Sequence, residues 1–164
     1  MKKGAGMKKN AFTIIELMIV VAIIGFLSMI SIPSFKRFLA QAKRAEAYMN
    51  LHSIYAAQKA HWAEHGTYST TLNGSGGVGW QPEGYKGGGK QEKFYYTYGF
   101  AQGSEGTSYF TGKLGTSSSH LSQSKAGEQE FLAVAAGDID GDGEPDILAV
   151  DQDNAIVILR DDLA

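Results

Sequence analysis

The chain has no cysteine, so no disulfide can close its loops, although small exported domains commonly rely on one. Basic residues are in deficit, 15 against 17 acidic, and Lys2, Lys3, Lys8 and Lys9 all fall in the first 11 positions. Without those four, 11 basic residues face 17 acidic ones, a net charge of −6. Nucleic acid is therefore not indicated as a partner, because phosphate neutralisation needs clustered Lys and Arg. No nucleophile, base and orienting acid recur in a recognisable arrangement, which leaves an enzyme unsupported. Phosphate-cradling glycine patterns in a strand-to-helix setting are missing too, so a nucleotide site is not expected.

What is present begins with KKNAFTIIELMIVVAIIGFLSMISIPSF at 8–35, a lysine-rich leader running into an apolar stretch whose one carboxylate, Glu16, lies near its start. Leu17 to Ile32 carries no charge. About 20 apolar residues make roughly 30 Å of helix, the hydrocarbon width of a bilayer, so a membrane stage is expected. A cleaved secretory signal is the simpler alternative. It places its small-residue cleavage site after the apolar region, whereas the small residue here, Ala11, precedes it. The apolar segment should thus be retained. A carboxylate at a membrane helix centre costs about 2.5 to 3.5 kcal/mol, so Glu16 near one end implies snorkelling or a partner, and a free amine four residues away would serve.

These residues resemble the N-terminal signature of type IV prepilins, which type II secretion pseudopilins share. In that family a prepilin peptidase cuts before the aromatic residue and methylates the new amine, implying cleavage between Ala11 and Phe12 and an N-methylated Phe12. Glu16, Gly25 and Pro33 fall on the family's glutamate, glycine and proline positions and are implied to serve assembly with Phe12. The family's usual residue before the cut is glycine, where this chain has alanine, and Met7 offers a second start after Met1. The resemblance implies an inner-membrane precursor with an exported head. It also implies pilus assembly machinery as a partner and a helical homo-oligomeric filament outside the cell.

Helix is expected to continue past Pro33 through 36–66, a segment rich in alanine and long side chains, with Tyr48, Leu51, Tyr55 and Trp62 on one face and Gly66 as the stop. Pro33 removes one backbone hydrogen bond near the membrane exit. His52, His61 and His65 show no coherent ligand spacing with nearby carboxylates and read as surface or packing residues. Residues 67–92 read as a glycine-rich loop that Trp80 and Tyr85 could pin. From 93 to 164 strands are expected at 93–100 and 107–114, joined as a hairpin, then an exposed serine-rich spacer at 116–128 and three short strands, EFLAVAAG, DILAV and AIVIL. The class is α+β: a long N-terminal helix whose apolar half forms a membrane or filament core and whose second half packs on an antiparallel sheet of four or five strands, as in pilins.

The second constellation is DIDGDGEPD at 138–146. Asp138, Asp140, Asp142 and Asp146, with the main-chain carbonyl of Glu144, suit a calcium loop in which alternate carboxylates turn inward and Gly143 permits the reversal. The EF-hand pattern is not met, because Ala149 stands where its bidentate glutamate would be. The site resembles shortened calcium loops set between strands. An acidic turn held by Asp and Gly turn chemistry alone is the simpler alternative. Structural Ca²⁺ is expected, as a staple in place of the missing disulfide. The functional expectation is a type IV pilus subunit for adhesion, motility or uptake. The alternatives are a major pseudopilin of type II secretion, or a membrane-anchored calcium-binding module that never polymerises.

Overall fold

The computed structural model describes residues 12–163; the leader 1–11, with Ala11, Met1 and Met7, lies outside the described residues. Helix α1 spans Ile14–His65, with Pro33 inside it, and is long and apolar enough by composition to cross a membrane. Gly66, at φ 72°, ends it where expected, its N–H donating to the Trp62 carbonyl (2.8 Å). The chain divides into two compact units, one up to Lys36 and one from Arg37 onward.

In the second unit, β1 (Thr97–Gly99), β2 (Tyr109–Phe110), β3 (Lys125–Ala126), β4 (Phe131–Gly137), β5 (Asp146–Asp151) and β6 (Ile156–Arg160) follow α1. They form one antiparallel six-stranded sheet in the order β2-β1-β4-β5-β6, with β3 also paired to β4. The fold is α+β, as the hydrophobic pattern implies. The expected hairpin is present, pairing Tyr98 with Phe110, but its strands are much shorter than the aromatic runs at 93–100 and 107–114. One reason is that the Tyr95 N–H donates to the Glu46 carboxylate on α1 (2.9 Å) instead of to a strand.

The buried stripe of α1 is Ala40, Ala47, Leu51, Ile54 and Gln58, at helical spacing. Tyr48 and Tyr55 flank it. Trp62, expected on the same face, is exposed, and its indole N–H donates to the Glu128 carbonyl (2.9 Å). Leu51 and Ile54 pack in one core with Tyr96, Tyr98, Phe131, Leu148 and Val150. Each such aliphatic side chain contributes about 1.5–3 kcal/mol by leaving water. Gln58, fully buried, is satisfied by Ser69, donating to its carbonyl (2.6 Å) and accepting from its N–H (3.1 Å).

The opposite face of β4 and β5 is covered as well, which alternation along the strands alone did not suggest. The serine-rich stretch at 116–128 is not simply exposed: it holds a 3₁₀ helix at Ser118–Leu121 and strand β3. Leu121 is buried against Val134, Ala136, Ile147 and Ala149. One leucine thus turns a polar segment into a lid on the sheet's second face. The glycine-rich loop is pinned as expected. Trp80 is buried edge-on to Tyr98 and Phe110 and donates to Ser53 (2.7 Å), and Tyr85 stands edge-on to Phe110 with ring centres 4.8 Å apart.

Glu46 joins α1 to the sheet, accepting from the Tyr95 N–H (2.9 Å) and the Tyr98 hydroxyl (3.2 Å). Burial raises its pKa above the ordinary 4.5, and the two hydrogen bonds offset that only in part. A carboxyl group whose pKa is raised on folding binds protons more readily in the folded state. Stability attributable to Glu46 is therefore greatest below pH 4.5 and falls as pH rises through its folded pKa. Glu46→Gln keeps an oxygen for both donors without the charge. The melting temperature of the variant relative to the parent should rise between pH 4.5 and pH 7; an equal difference at both pH values would refute this.

Candidate functional site

Thr13 and Glu16 build the start of α1 together. The Thr13 N–H and hydroxyl both donate to Glu16 Oε2 (2.8 and 2.7 Å), and the Glu16 N–H returns a bond to the Thr13 hydroxyl (3.3 Å). This is a capping box, T-x-x-E, which satisfies helix donors that have no partner in the first turn and places a negative charge where the helix dipole favours it. The spacing Thr13-Ile14-Ile15-Glu16 is the local sequence signal of this cap. Both donors converge on Oε2, leaving Oε1 without a donor among the described residues. Glu16 thus serves its own helix with one oxygen and offers the other outward.

Phe12 is 83% exposed, and from Ile14 to Phe35 the large apolar side chains are almost all exposed. Beyond the backbone of its own helix, no atom of the described residues lies within 4 Å of a Cβ built on Gly25, so no packing contact among them requires glycine there. The Ser28, Ser31 and Ser34 hydroxyls donate to carbonyls four residues earlier (2.7, 2.9 and 3.2 Å), which hides their polarity within the apolar segment. Pro33 has no N–H to give, and the helix continues through it. Ala11, half of the expected cleavage site, is outside the described residues.

The acidic loop follows β4. Asp138 accepts from the Gly141 and Gly143 N–H groups (2.7 and 3.1 Å), Asp140 from Asp142 (3.0 Å) and Asp142 from Glu144 (2.7 Å). Gly141 and Gly143 take φ of 92° and 95°, values other residues rarely adopt, and this lets successive carboxylates fold onto the loop's own backbone. Oxygens of Asp138, Asp140, Asp142 and Asp162 lie within 4.8 Å of one another. Asp162 was not anticipated. It comes from the tail after β6, and its Oδ2 accepts from Ile139 and Asp140 (2.9 and 3.4 Å). Burial, with the charges of Asp140 and Asp142, pushes its pKa up despite those two bonds.

Asp146 lies elsewhere than the loop reading expected. As the first residue of β5, opposite Gly137 on β4, it is fully buried. Arg44 grips it with two bonds (2.9 and 2.6 Å), the Tyr96 hydroxyl donates to it (2.7 Å), and the Asp162 N–H adds a longer contact (3.3 Å). A buried carboxylate needs such partners, and these hold it away from the cluster. Arg44 also bonds Asp161. Burial works against the Arg44 charge, but Asp161 and Asp146 outweigh it and raise its pKa. The Glu144 side chain turns to Arg160 (2.5 Å).

The geometry defines a protein with a capped, apolar N-terminal helix and a sheet-bearing head. Residues 6–32 match the family model for the prokaryotic N-terminal methylation motif. The chain is similar to the type IV major pilin protein PilA of Myxococcus xanthus, 47% identical over 46% of this chain and 33% of that one. It is similar to the type IV major pilin protein PilE1 of Neisseria gonorrhoeae, 34% identical over 48% of this chain and 47% of that one. It also resembles the prepilin peptidase-dependent protein D of Escherichia coli, 35% identical over 43% of this chain and 49% of that one. The matches span between a third and a half of those relatives' length. The chain is thus similar, over part of its length, to proteins named type IV major pilins, and its N-terminal segment carries the methylation motif.

Asp146→Asn should leave the Arg44 charge short of its buried counter-ion and destabilise the head by about 3–5 kcal/mol. Denaturant unfolding of the two proteins measures this. A loss below about 1 kcal/mol, the size of an exposed pair, would show that Asp146 is not the anchor described.

Proposed function

We propose that the chain is the structural subunit of a type IV pilus, polymerising through α1 into an extracellular filament. The observation that carries this is the exposed apolar half of α1 with one carboxylate, Glu16, whose Oε1 has no donor among the described residues. Before assembly the segment sits in the inner membrane, and a prepilin peptidase cuts between Ala11 and Phe12 and methylates the amine of Phe12. In the filament that amine meets the Glu16 of a neighbouring subunit. The pairing removes the cost of an uncompensated carboxylate in apolar surroundings and fixes the axial register. Gly25, with no contact of its own to make, leaves room for a neighbouring helix. Pro33 loosens the backbone where the helix leaves the membrane. The role is structural rather than enzymatic, in keeping with the relatives' names.

A pseudopilus subunit would share the processed N-terminus. The relatives named as major pilins favour the pilus. Shearing cells and analysing the released fibres by mass spectrometry should find this chain abundant and starting at methylated Phe12, and Glu16→Ala should reduce fibre yield at least tenfold while leaving the head folded. A chain kept in the envelope would favour the pseudopilus. Normal fibres from the variant would remove Glu16 from assembly.

Structural Ca²⁺ in the acidic loop belongs to the same reading. Asp138, Asp140, Asp142 and Asp162 form an all-oxygen hard donor set. Asp140 and Asp142 each give only Oδ1 to the backbone, so Oδ2 of each is free of donors among the described residues. Bound there, the ion would supply neutralising charge and tie the tail after β6 to the β4–β5 loop, as a disulfide would. Millimolar Ca²⁺ should raise the melting temperature of the full chain in detergent by about 5 °C or more over chelator, for binding near 100 times the Kd. Asp140→Asn with Asp142→Asn should abolish that rise. No difference between calcium and chelator would end the staple.

A further inference from the structure

At the end of α1 the sequence reads His61-Trp62-Ala63-Glu64-His65. As a set with carboxylates, the three helix histidines have no common ligand spacing, and His52 is engaged separately, its Nδ1 2.8 Å from Asn154 Oδ1. His61 and His65 differ from it, because residues four apart lie on one helix face with Cβ atoms about 5–6 Å apart. Their rings are stacked, with centres 4.3 Å apart and planes 16° from parallel.

The hydrogen bonds decide the chemistry of this pair. His61 Nδ1 lies 2.9 Å from the Thr67 carbonyl, and His65 Nδ1 lies 3.1 Å from the His61 carbonyl. A carbonyl oxygen only accepts, so in both rings Nδ1 carries the proton. In the neutral imidazole Nε2 then holds the lone pair. This is the arrangement of a metal-binding histidine, whose second ring nitrogen donates to a backbone carbonyl that fixes tautomer and orientation. Two imidazoles at this spacing on one helix face are also the unit from which helical zinc sites are built. His65 is exposed and His61 partly so, which leaves the pair open to solvent. His65 belongs to the last turn of α1, where the helix dipole favours a cation.

We infer that His61 and His65 form a two-imidazole chelate for a late divalent transition ion of the copper–zinc type, held through both Nε2 atoms with water completing the shell. Imidazole nitrogen selects such ions over calcium, which takes oxygen, so this site and the acidic loop are chemically separate. Chelation through both Nε2 atoms requires the two rings to tilt out of their stack. The site depends neither on polymerisation nor on the loop.

The test is titration of the full chain, in detergent micelles with millimolar Ca²⁺ to saturate the acidic loop, with CuCl₂ read by electron paramagnetic resonance. The tightest Cu²⁺ should show superhyperfine coupling to two nitrogens. His61→Gln and His65→Gln should each weaken it at least tenfold, while His52→Gln and His120→Gln leave it unchanged. Circular dichroism should show both variants folded, since each exchanges a solvent-accessible ring for an amide. Coupling that is absent from the parent, that survives the His61/His65 double variant, or that is lost equally in His52→Gln would overturn the inference.

Discussion

The head is organised around one buried carboxylate. Asp146 begins β5, and its charge must be met inside the protein because no water reaches it. Arg44 meets it from α1, Tyr96 from the approach to β1, and the backbone of Asp162 from the C-terminal tail. Helix, sheet and tail are thereby brought to a single point. Burial and the bond to Asp146 raise the pKa of the Tyr96 hydroxyl, which stays a proton donor. The guanidinium of Arg44 reaches on to Asp161 and positions the tail next to the acidic loop. Desolvation makes the arrangement costly, and it holds only because every partner is present at once.

That anchor also bears on the loop beside it. Four neighbouring carboxylates repel one another, and burial together with the charges of Asp140 and Asp142 raises the pKa of Asp162. The loop tolerates this by turning the carboxylates onto its own N–H groups, a local solution that two glycines permit. A chain without cysteine has few other ways to fix the return of its C-terminal hairpin. The interactions that hold this region are therefore polar on the side where the core ends.

The N-terminal half of α1 follows the opposite logic. Its large apolar side chains are exposed among the described residues, its serine hydroxyls are folded back onto the backbone, and its single carboxylate is half satisfied by Thr13. Such a segment is stable in lipid or among copies of itself, and unfavourable in water.

Much of this was legible in the chain. The apolar run with Glu16, helix through Pro33 to Gly66, the hairpin of β1 and β2, and the last three strands all follow from local periodicity and turn chemistry, which short stretches of sequence encode. The capping box of Thr13 and Glu16 is equally local. What the sequence could not show was Asp162 beside Asp138, Asp146 turned to Arg44, or Leu121 closing the second face of the sheet. Those depend on register: pairing Ile147 with Arg160 brings the residues after β6 level with those before β5, and that alignment exists only once distant strands have met. The sequence by itself determined the apolar segment at the start of α1 and the order of helix before sheet, because membrane transfer and helix formation are properties of contiguous residues. Only the tertiary structure decided which carboxylates would share a cluster and which would be buried, because burial and pairing are properties of the packed chain.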